Sequence, residues 1–300
     1  MQKFFRNTLL CLTVFCSIPG PEARAQDNAP ALDKDYFRKM EDSLLVTADS
    51  IYNIMIPDFR TEQCELFVKQ LIRTLKTPGS YNYPFDSLKK TINIVSSPDN
   101  KFRIFNWPLA YSDVRVRYYA AIQMNEPELK LIPLFDKTDM LSKPDPYKEC
   151  TNSDWMGTLI YNIIPKETEE GTVYFILGVN NGNPISNKKM IDPMTFSGNS
   201  VRFGAPLFAM GSMESPDKPV NRFILEYKKE ASVGMNWDAE YNAIVYDELA
   251  SEVNDPNRKY TYIPTGQYNG LRWSNGKWRV IENLIPVMEL KDGAAPDAGK

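Results

Sequence analysis

The sequence contains no histidine among its 300 residues. Without an imidazole side chain it can form neither a Ser-His-Asp nor a Cys-His catalytic group, and no zinc or iron site that depends on histidine. Catalysis, if present, must then come from carboxylates or from Lys, Tyr, Ser or Thr side chains, and a metal site must use oxygen ligands. We therefore expect no cofactor and no resident metal ion.

Long hydrophobic runs are missing as well, because no segment reaches the roughly 18 consecutive apolar residues of a membrane helix. The N-terminus instead has basic residues at positions 3 and 6, a short apolar run over residues 8–18, and the small-x-small pattern Ala23-Arg24-Ala25. This combination is typical of a secretory signal peptide. We predict cleavage after Ala25, which removes residues 1–25 and leaves an exported protein in the periplasm, at the cell surface or secreted.

A lipid anchor on Cys16 is the alternative to simple cleavage. The residues before this cysteine, Thr13-Val14-Phe15, lack the leucine and the small residue that are usual at such a site. Cleavage without an anchor is therefore the preferred reading of the N-terminus.

Neither sign of charge is in large excess. Removal of residues 1–25 takes away three basic residues and one acidic residue, so that the 35 basic and 38 acidic side chains become 32 and 37, a net charge of −5. A mildly acidic surface gives no electrostatic reason to bind nucleic acid or anionic lipid. We expect no nucleic-acid partner and no membrane span.

Cysteine is scarce, and only Cys64 and Cys150 lie beyond residue 25. Two cysteines in an exported protein often form a disulfide, which would close a long loop and stabilise the fold by about 2–4 kcal/mol. Cys64 also falls on the apolar face of a predicted helix, which favours two buried free thiols instead. The sequence leaves both alternatives open.

Apolar residues at helical spacing predict a helical hairpin within residues 26–90. Leu44, Ala48 and Ile51 recur at intervals of three and four, and this run is expected to stop at Pro57. A second run with the same period follows over residues 64–75, with Thr61 as its expected cap.

From about residue 91 the apolar period changes to two, which is typical of strands. These runs cover residues 92–95, 101–107, 114–123, 129–135, 156–164, 172–177, 201–208, 222–227, 243–246 and 277–282. The absence of a Gly-rich strand-to-helix turn argues against a parallel Rossmann or P-loop fold. We predict an α+β, mainly β protein: the helical hairpin, then a large antiparallel meander of sandwich, barrel or propeller-like type over residues 91–291, then a flexible tail over residues 292–300.

A loop rich in asparagine and glycine, "GVNNGN" (residues 178–183), lies between two strand candidates. Its last glycine is followed by Asn-Pro and not by the Lys and Ser or Thr of a P-loop, and it lacks the acidic residues of a calcium loop. The pattern indicates a turn. A ligand role for Asn180 and Asn181 is the second possibility. The nearby pair Lys188-Lys189 is typical of a solvated strand end.

Paired carboxylates are the first candidates for catalysis, because glycoside hydrolysis needs only two of them at a suitable separation. Asp238 and Glu240 flank Ala239 beside Trp237 and are the best such pair. Asp is also favoured in turns at strand ends, and this interpretation is preferred.

Aromatic residues are the candidates for binding. Trp107 and Trp273 lie at strand edges beside turns, where an exposed ring would suit a sugar or a peptide. Aromatics in strand-rich domains more often pack across strands in the core.

Several segments resemble a group of uncharacterised exported proteins common in Bacteroidota, for which no activity is known. The resemblance spans most of the chain beyond residue 25 and implies an envelope or secreted location. The segments are "SPDNKFRIFNW", "FILGVNNGNPISNKKMIDPMTF", "VRFGAPLFAM", "RFILEYKKEASVGMNWD", "AIVYDEL" and "YIPTGQYNGLRWSNGKWRVIENL".

Two functional hypotheses follow. The first is a non-enzymatic exported protein of the cell envelope that binds a partner protein or a glycan. The alternative is a carboxylate-dependent glycoside hydrolase that uses Asp238 and Glu240. A hydrolase needs a cleft with two carboxyls roughly 5–10 Å apart, whereas a binding module needs only a suitable surface.

Overall fold

The computed structural model describes residues 33–112, 115–138, 145–210 and 219–286. The predicted signal peptide, the Cys16 alternative and the predicted tail (residues 292–300) lie outside these residues. The described residues belong to one compact unit.

Two helices open the described chain, α1 (Lys34–Asn53) and α2 (Pro57–Leu75). Asp33 caps α1, because its Oδ1 accepts a hydrogen bond from Tyr36 N at 2.9 Å. The first helix ends at Asn53, before the expected stop at Pro57, and Pro57 instead begins α2, where its missing N–H has no helical partner to lose. Thr61 lies inside α2 and donates its hydroxyl to Pro57 O, so it does not cap the helix.

The first sheet, sheet 1, is a four-stranded antiparallel meander in the order β1-β2-β3-β4. Its strands are β1 (Asn93–Ser96), β2 (Phe102–Ser112), β3 (Arg115–Met124) and β4 (Leu131–Phe135). β4 is an edge strand.

The remaining strands form two further sheets. They are β5 (Cys150–Thr151), β6 (Leu159–Thr168), β7 (Gly171–Asn180), β8 (Ser186–Ser197), β9 (Ser200–Phe203), β10 (Phe208–Ala209), β11 (Phe223–Lys228), β12 (Met235–Asp238), β13 (Ala243–Ser251), β14 (Tyr262–Ser274) and β15 (Lys277–Ile285). A short 3-10 helix (Lys259–Thr261) connects β13 to β14.

Sheet 2 has the order β5-β9-β8-β7-β6, and sheet 3 has the order β10-β15-β14-β13-β12. β11 pairs with residues 186–191 of β8, on the edge where β9 pairs with residues 194–197. All these pairs are antiparallel except β10 with β15. The predicted antiparallel, mainly β body is confirmed, and it is divided into three sheets, none of which closes on itself in the described strands.

Alternate side chains of a strand point to opposite faces of its sheet. Sheet 1 and sheet 2 therefore each have an apolar core on both faces. In β2, Phe102 and Ile104 face sheet 2, whereas Phe105 and Trp107 face the helices. In β7, Tyr174 and its alternate neighbours face sheet 1, while the residues between them face sheet 3. The order of layers is therefore the helical hairpin, sheet 1, sheet 2 and sheet 3.

Neither helix of the described residues is long and apolar enough to span a bilayer.

Candidate functional site

The asparagine-rich loop connects β7 to β8, and its amides are engaged within the chain. Buried Asn180 donates from Nδ2 to Gly157 O at 2.7 Å and accepts from Gly182 N at 3.1 Å. Asn181 Oδ1 accepts from the Tyr118 hydroxyl at 2.8 Å, and the same hydroxyl accepts from Asn181 N at 2.9 Å. These bonds support the interpretation of the loop as a turn, and a ligand role for the two asparagines stays a prediction.

Trp107 is buried in the core between the helices and sheet 1. Its ring stacks on Tyr119 with centroids 5.7 Å apart and meets the ring of Phe67 edge-on at 4.9 Å. Its Nε1 donates to Cys64 Sγ at 3.4 Å. The side chain therefore packs the core.

Trp273 is half-buried in the core between sheets 2 and 3. Its ring centroid lies 5.4 Å from Phe175 and 5.3 Å from Trp278. The ammonium of Lys166 lies 4.7 Å from the centroid of the neighbouring Trp237 ring, a cation–π contact within the chain. Partial burial lowers the pKa of Lys166. Trp278 thus contacts both Trp237 and Trp273, and Lys166 lies over the rings of Trp237 and Trp278.

Asp238 and Glu240 lie at the turn between β12 and β13. Asp238 Oδ1 accepts from the backbone N–H of Glu240 at 2.8 Å, and Glu240 is exposed. This is the geometry of an Asx turn. The two carboxyls line neither of the cavities described below, and their catalytic role stays a prediction.

Cys64 and Cys150 are both buried free thiols, so the disulfide alternative was wrong. Cys64 belongs to the core between the helices and sheet 1, and Cys150 to the core between sheets 1 and 2. Sheet 1 separates these cores, which is why the two sulfur atoms do not meet. Burial raises the pKa of Cys64 to about 11, although the hydrogen bond from Trp107 offsets part of this.

A cavity of about 530 Å³ opens beside the β8–β11 strand pair, and we call it the β8–β11 pocket. The strands supply its floor and the segment around the 3-10 helix supplies its rim. The residues that line it include Asn183, Ile185, Lys188, Ile224, Glu226 and Tyr260. Ile185 and Tyr260 are 56% and 40% exposed, so apolar and aromatic surface faces the opening.

A shielded charge pair lies in this floor. Lys188 and Glu226 are directly opposite each other on the two strands, with Lys188 Nζ 3.4 Å from Glu226 Oε1 and side chains only 11% and 20% exposed. Ser186 Oγ donates to the same carboxylate oxygen at 2.7 Å. The expectation of a solvated Lys188 was therefore wrong. The pocket places a positive donor and a negative acceptor side by side.

The β7–β8 loop beside the pocket is held in place by hydrogen bonds to its backbone. Lys229 Nζ donates to Asn181 O at 2.6 Å and to Asn183 O at 2.9 Å, which ties the β7–β8 loop to the end of β11. Asn183 Oδ1 accepts from Ile185 N at 2.9 Å and so fixes the turn beside the opening. The site is consequently built on two strands and a braced loop.

The sequence alone did not identify Lys188, Glu226 or Tyr260 as site residues. The alternation within each strand predicts the face of the sheet on which Lys188 or Glu226 lies, but not that the two are neighbours. They are neighbours because of the β8–β11 register, which no local sequence pattern specifies.

Within the described residues, no group of three or more Cys, Asp or Glu side chains is arranged to hold a metal ion. Comparison of the chain with protein-family models, with curated proteins and with solved structures found no match.

Proposed function

We propose that this protein is an exported, non-enzymatic binding protein of the cell envelope that recognises a glycan through the β8–β11 pocket. The export proposal rests on the N-terminal pattern of basic residues, apolar run and Ala23-Arg24-Ala25. The resemblance to exported proteins of Bacteroidota supports the same location. The facing sheets favour a sandwich-type body over a barrel or a propeller.

The observation that carries the glycan proposal is the Lys188–Glu226 pair in the same pocket as the exposed Tyr260. Sugar hydroxyls both donate and accept hydrogen bonds, so an ammonium beside a carboxylate matches them without a net charge. The C–H face of a sugar ring packs well on an aromatic side chain such as Tyr260. A volume of about 530 Å³ is within the range of small-ligand sites, roughly 300–1,000 Å³.

Thermal unfolding of the purified protein in the presence of peptidoglycan fragments, envelope glycans and plant or host polysaccharides tests the proposal. A ligand at about one hundred times its Kd stabilises the folded state by about 2.7 kcal/mol, which raises Tm by several degrees. Glu226→Gln removes the negative acceptor and Tyr260→Ala removes the ring, and both should lose the shift. Glu169→Gln, an exposed change in the turn between β6 and β7, is the matched control and should keep it.

Three outcomes would overturn the proposal. A flat response across the panel leaves a protein partner as the candidate, to be sought by cross-linking in cells. A shift that survives Glu226→Gln and Tyr260→Ala places the glycan elsewhere. Cleavage of the bound glycan that stops in Asp238→Asn identifies a hydrolase instead.

A further inference from the structure

A second cavity, of about 370 Å³, lies where α2 leaves part of sheet 1 uncovered, and we call it the helix–sheet groove. α2 packs on β2 and forms one wall with Val68 and Ile72, while the floor consists of the helix-facing residues of β3 and β4. The floor residues are Arg117, Tyr119, Ala121, Leu131, Pro133 and Phe135. Phe135 is 53% exposed, so the groove is open to solvent along its β4 side.

The strand register gives the groove two different ends. Tyr119 is opposite Phe135 and Ala121 is opposite Pro133, so the middle of the floor is apolar. Leu131 continues this apolar surface at one end. Arg117 and Lys137 lie at the other end. Arg117 is two residues before Tyr119 and Lys137 is two residues after Phe135, so both lie on the same face as these rings.

Arg117 is held in place but keeps donors for a ligand. Its Nη1 donates to Thr138 O at 2.9 Å and to Asp136 O at 3.3 Å, and these are its hydrogen bonds within the part of the chain that the structure describes. Among the described residues, the Nε and Nη2 donors of Arg117 have no hydrogen-bond partner, and the side chain is 30% exposed.

Asp136 offsets one of the two positive charges at this end of the groove. Asp136 Oδ1 lies 3.8 Å from Arg117 Nη1, but the Asp136 side chain is only 2% exposed. Its two oxygens accept backbone N–H groups from Tyr118 at 2.9 Å and Thr138 at 2.8 Å. Exposed Lys137 adds a second positive charge, so the end of the groove presents net positive charge to a ligand.

We propose that the helix–sheet groove binds an amphipathic carboxylate, with its apolar chain over Tyr119, Ala121 and Leu131 and its carboxylate at Arg117 and Lys137. Apolar surface beside a cationic end is complementary to a molecule with an apolar body and a single anionic head. A guanidinium with two free donors suits a carboxylate in particular, because the two groups match in geometry. This site is distinct from the β8–β11 pocket and does not depend on the glycan proposal.

Isothermal titration of the purified protein with dodecanoate, below its micellar concentration, tests this proposal. Dodecanol has the same chain without the charge, and we expect it to bind more weakly. Arg117→Met and Lys137→Met should each weaken dodecanoate binding by about tenfold and leave dodecanol binding unchanged, since each removes a charge-assisted contact. Lys39→Met, an exposed change on α1, is the matched control.

Ala121→Phe fills the floor and should abolish binding of both probes. Phe135→Ser, on an exposed edge position, should weaken both and serves as the second variant if Ala121→Phe does not fold. Absence of binding, equal affinity for dodecanoate and dodecanol, or unchanged affinity in Phe135→Ser would each overturn the proposal.

Discussion

Arg222 and Asp192 form an ion pair that is closed off from solvent, with Arg222 Nη2 3.2 Å from Asp192 Oδ1 and exposed side-chain fractions of 0% and 6%. Arg222 Nη1 also donates to the carbonyls of Asp145 and Lys148. Asp192 Oδ2 is buried and has no hydrogen-bond partner among the described residues. The pair thus joins β8 and β11 to the segment that leads into β5.

Arg222→Met should destabilise the fold by about 3–5 kcal/mol, because it leaves Asp192 as an unpaired buried carboxyl. Urea unfolding at pH 7 measures the change. Arg202→Met, at an exposed position of β9 in the same sheet, is the control and should have little effect. A loss of less than about 1 kcal/mol would show that the pair contributes no more than an exposed one.

The stability of the parent protein should rise relative to Asp192→Asn as the pH falls from 7 to 5. Burial raises the pKa of Asp192 to about 6 from its ordinary value of 3.8, and the attraction of Arg222 offsets part of that rise. The folded state therefore binds this proton more tightly than the unfolded state. Protonation below pH 6 favours folding until the unfolded chain is protonated near 3.8, whereas the Asn variant has no such group.

The expected relative gain between pH 7 and pH 5 is about 1 kcal/mol, on the basis of ~1.4 kcal/mol per pKa unit. Urea unfolding of both proteins at both pH values measures this gain. The difference between the two proteins removes the contribution of all other carboxyls, which they share. Identical pH dependence in the two proteins would mean that Arg222 keeps Asp192 ionised throughout this range.

Gly157→Ala should destabilise the protein by about 1–3 kcal/mol through steric overlap. An added Cβ would collide with the carboxyl of Asp136, which accepts hydrogen bonds from the backbone of Tyr118 and Thr138. Gly234→Ala is the matched control, because its added Cβ would lie at an ordinary 3.4 Å from Asp247. Thermal unfolding compares the two, and an equal Tm for both variants would contradict the expected collision.

Cys64 and Cys150 should resist alkylation in the folded protein at pH 8 and react rapidly in denaturant. Burial raises the pKa of both thiols, so little of the reactive thiolate is present. Peptide mapping after iodoacetamide treatment measures each thiol separately. A linked Cys64–Cys150 peptide without reductant, or fast labelling of the native protein, would contradict the two separate buried thiols.

The helical hairpin and most strands could be predicted because their signals are local. The apolar period of Leu44, Ala48 and Ile51 belongs to one helix, and the alternation in β2 and β7 belongs to single strands. β14 was not among the predicted runs, and β8 was predicted only as a strand candidate at residues 188–191. In β8, charged and proline residues interrupt the alternation of apolar and polar residues. In the exposed half of β14, too few residues are apolar for such an alternation to be recognised.

The division into three sheets and the site geometry could not be predicted, because both depend on contacts between distant segments. Trp107 has a strand-edge sequence context, yet α2 covers it and makes it a core residue. Lys188 has the context of a solvated strand end, yet β11 pairs with β8 and places Glu226 beside it. In both cases the tertiary neighbour, and not the local pattern, determines the exposure of the side chain.

Sheet 2 has an apolar core on each face, and this governs how the molecule can open. If either neighbouring layer separates from sheet 2, one apolar face of the sheet is exposed to solvent. Partial opening therefore has a large unfavourable hydrophobic free energy. The backbone amides of β7, which pairs with β6 on one side and β8 on the other, should accordingly exchange with deuterium only through global unfolding.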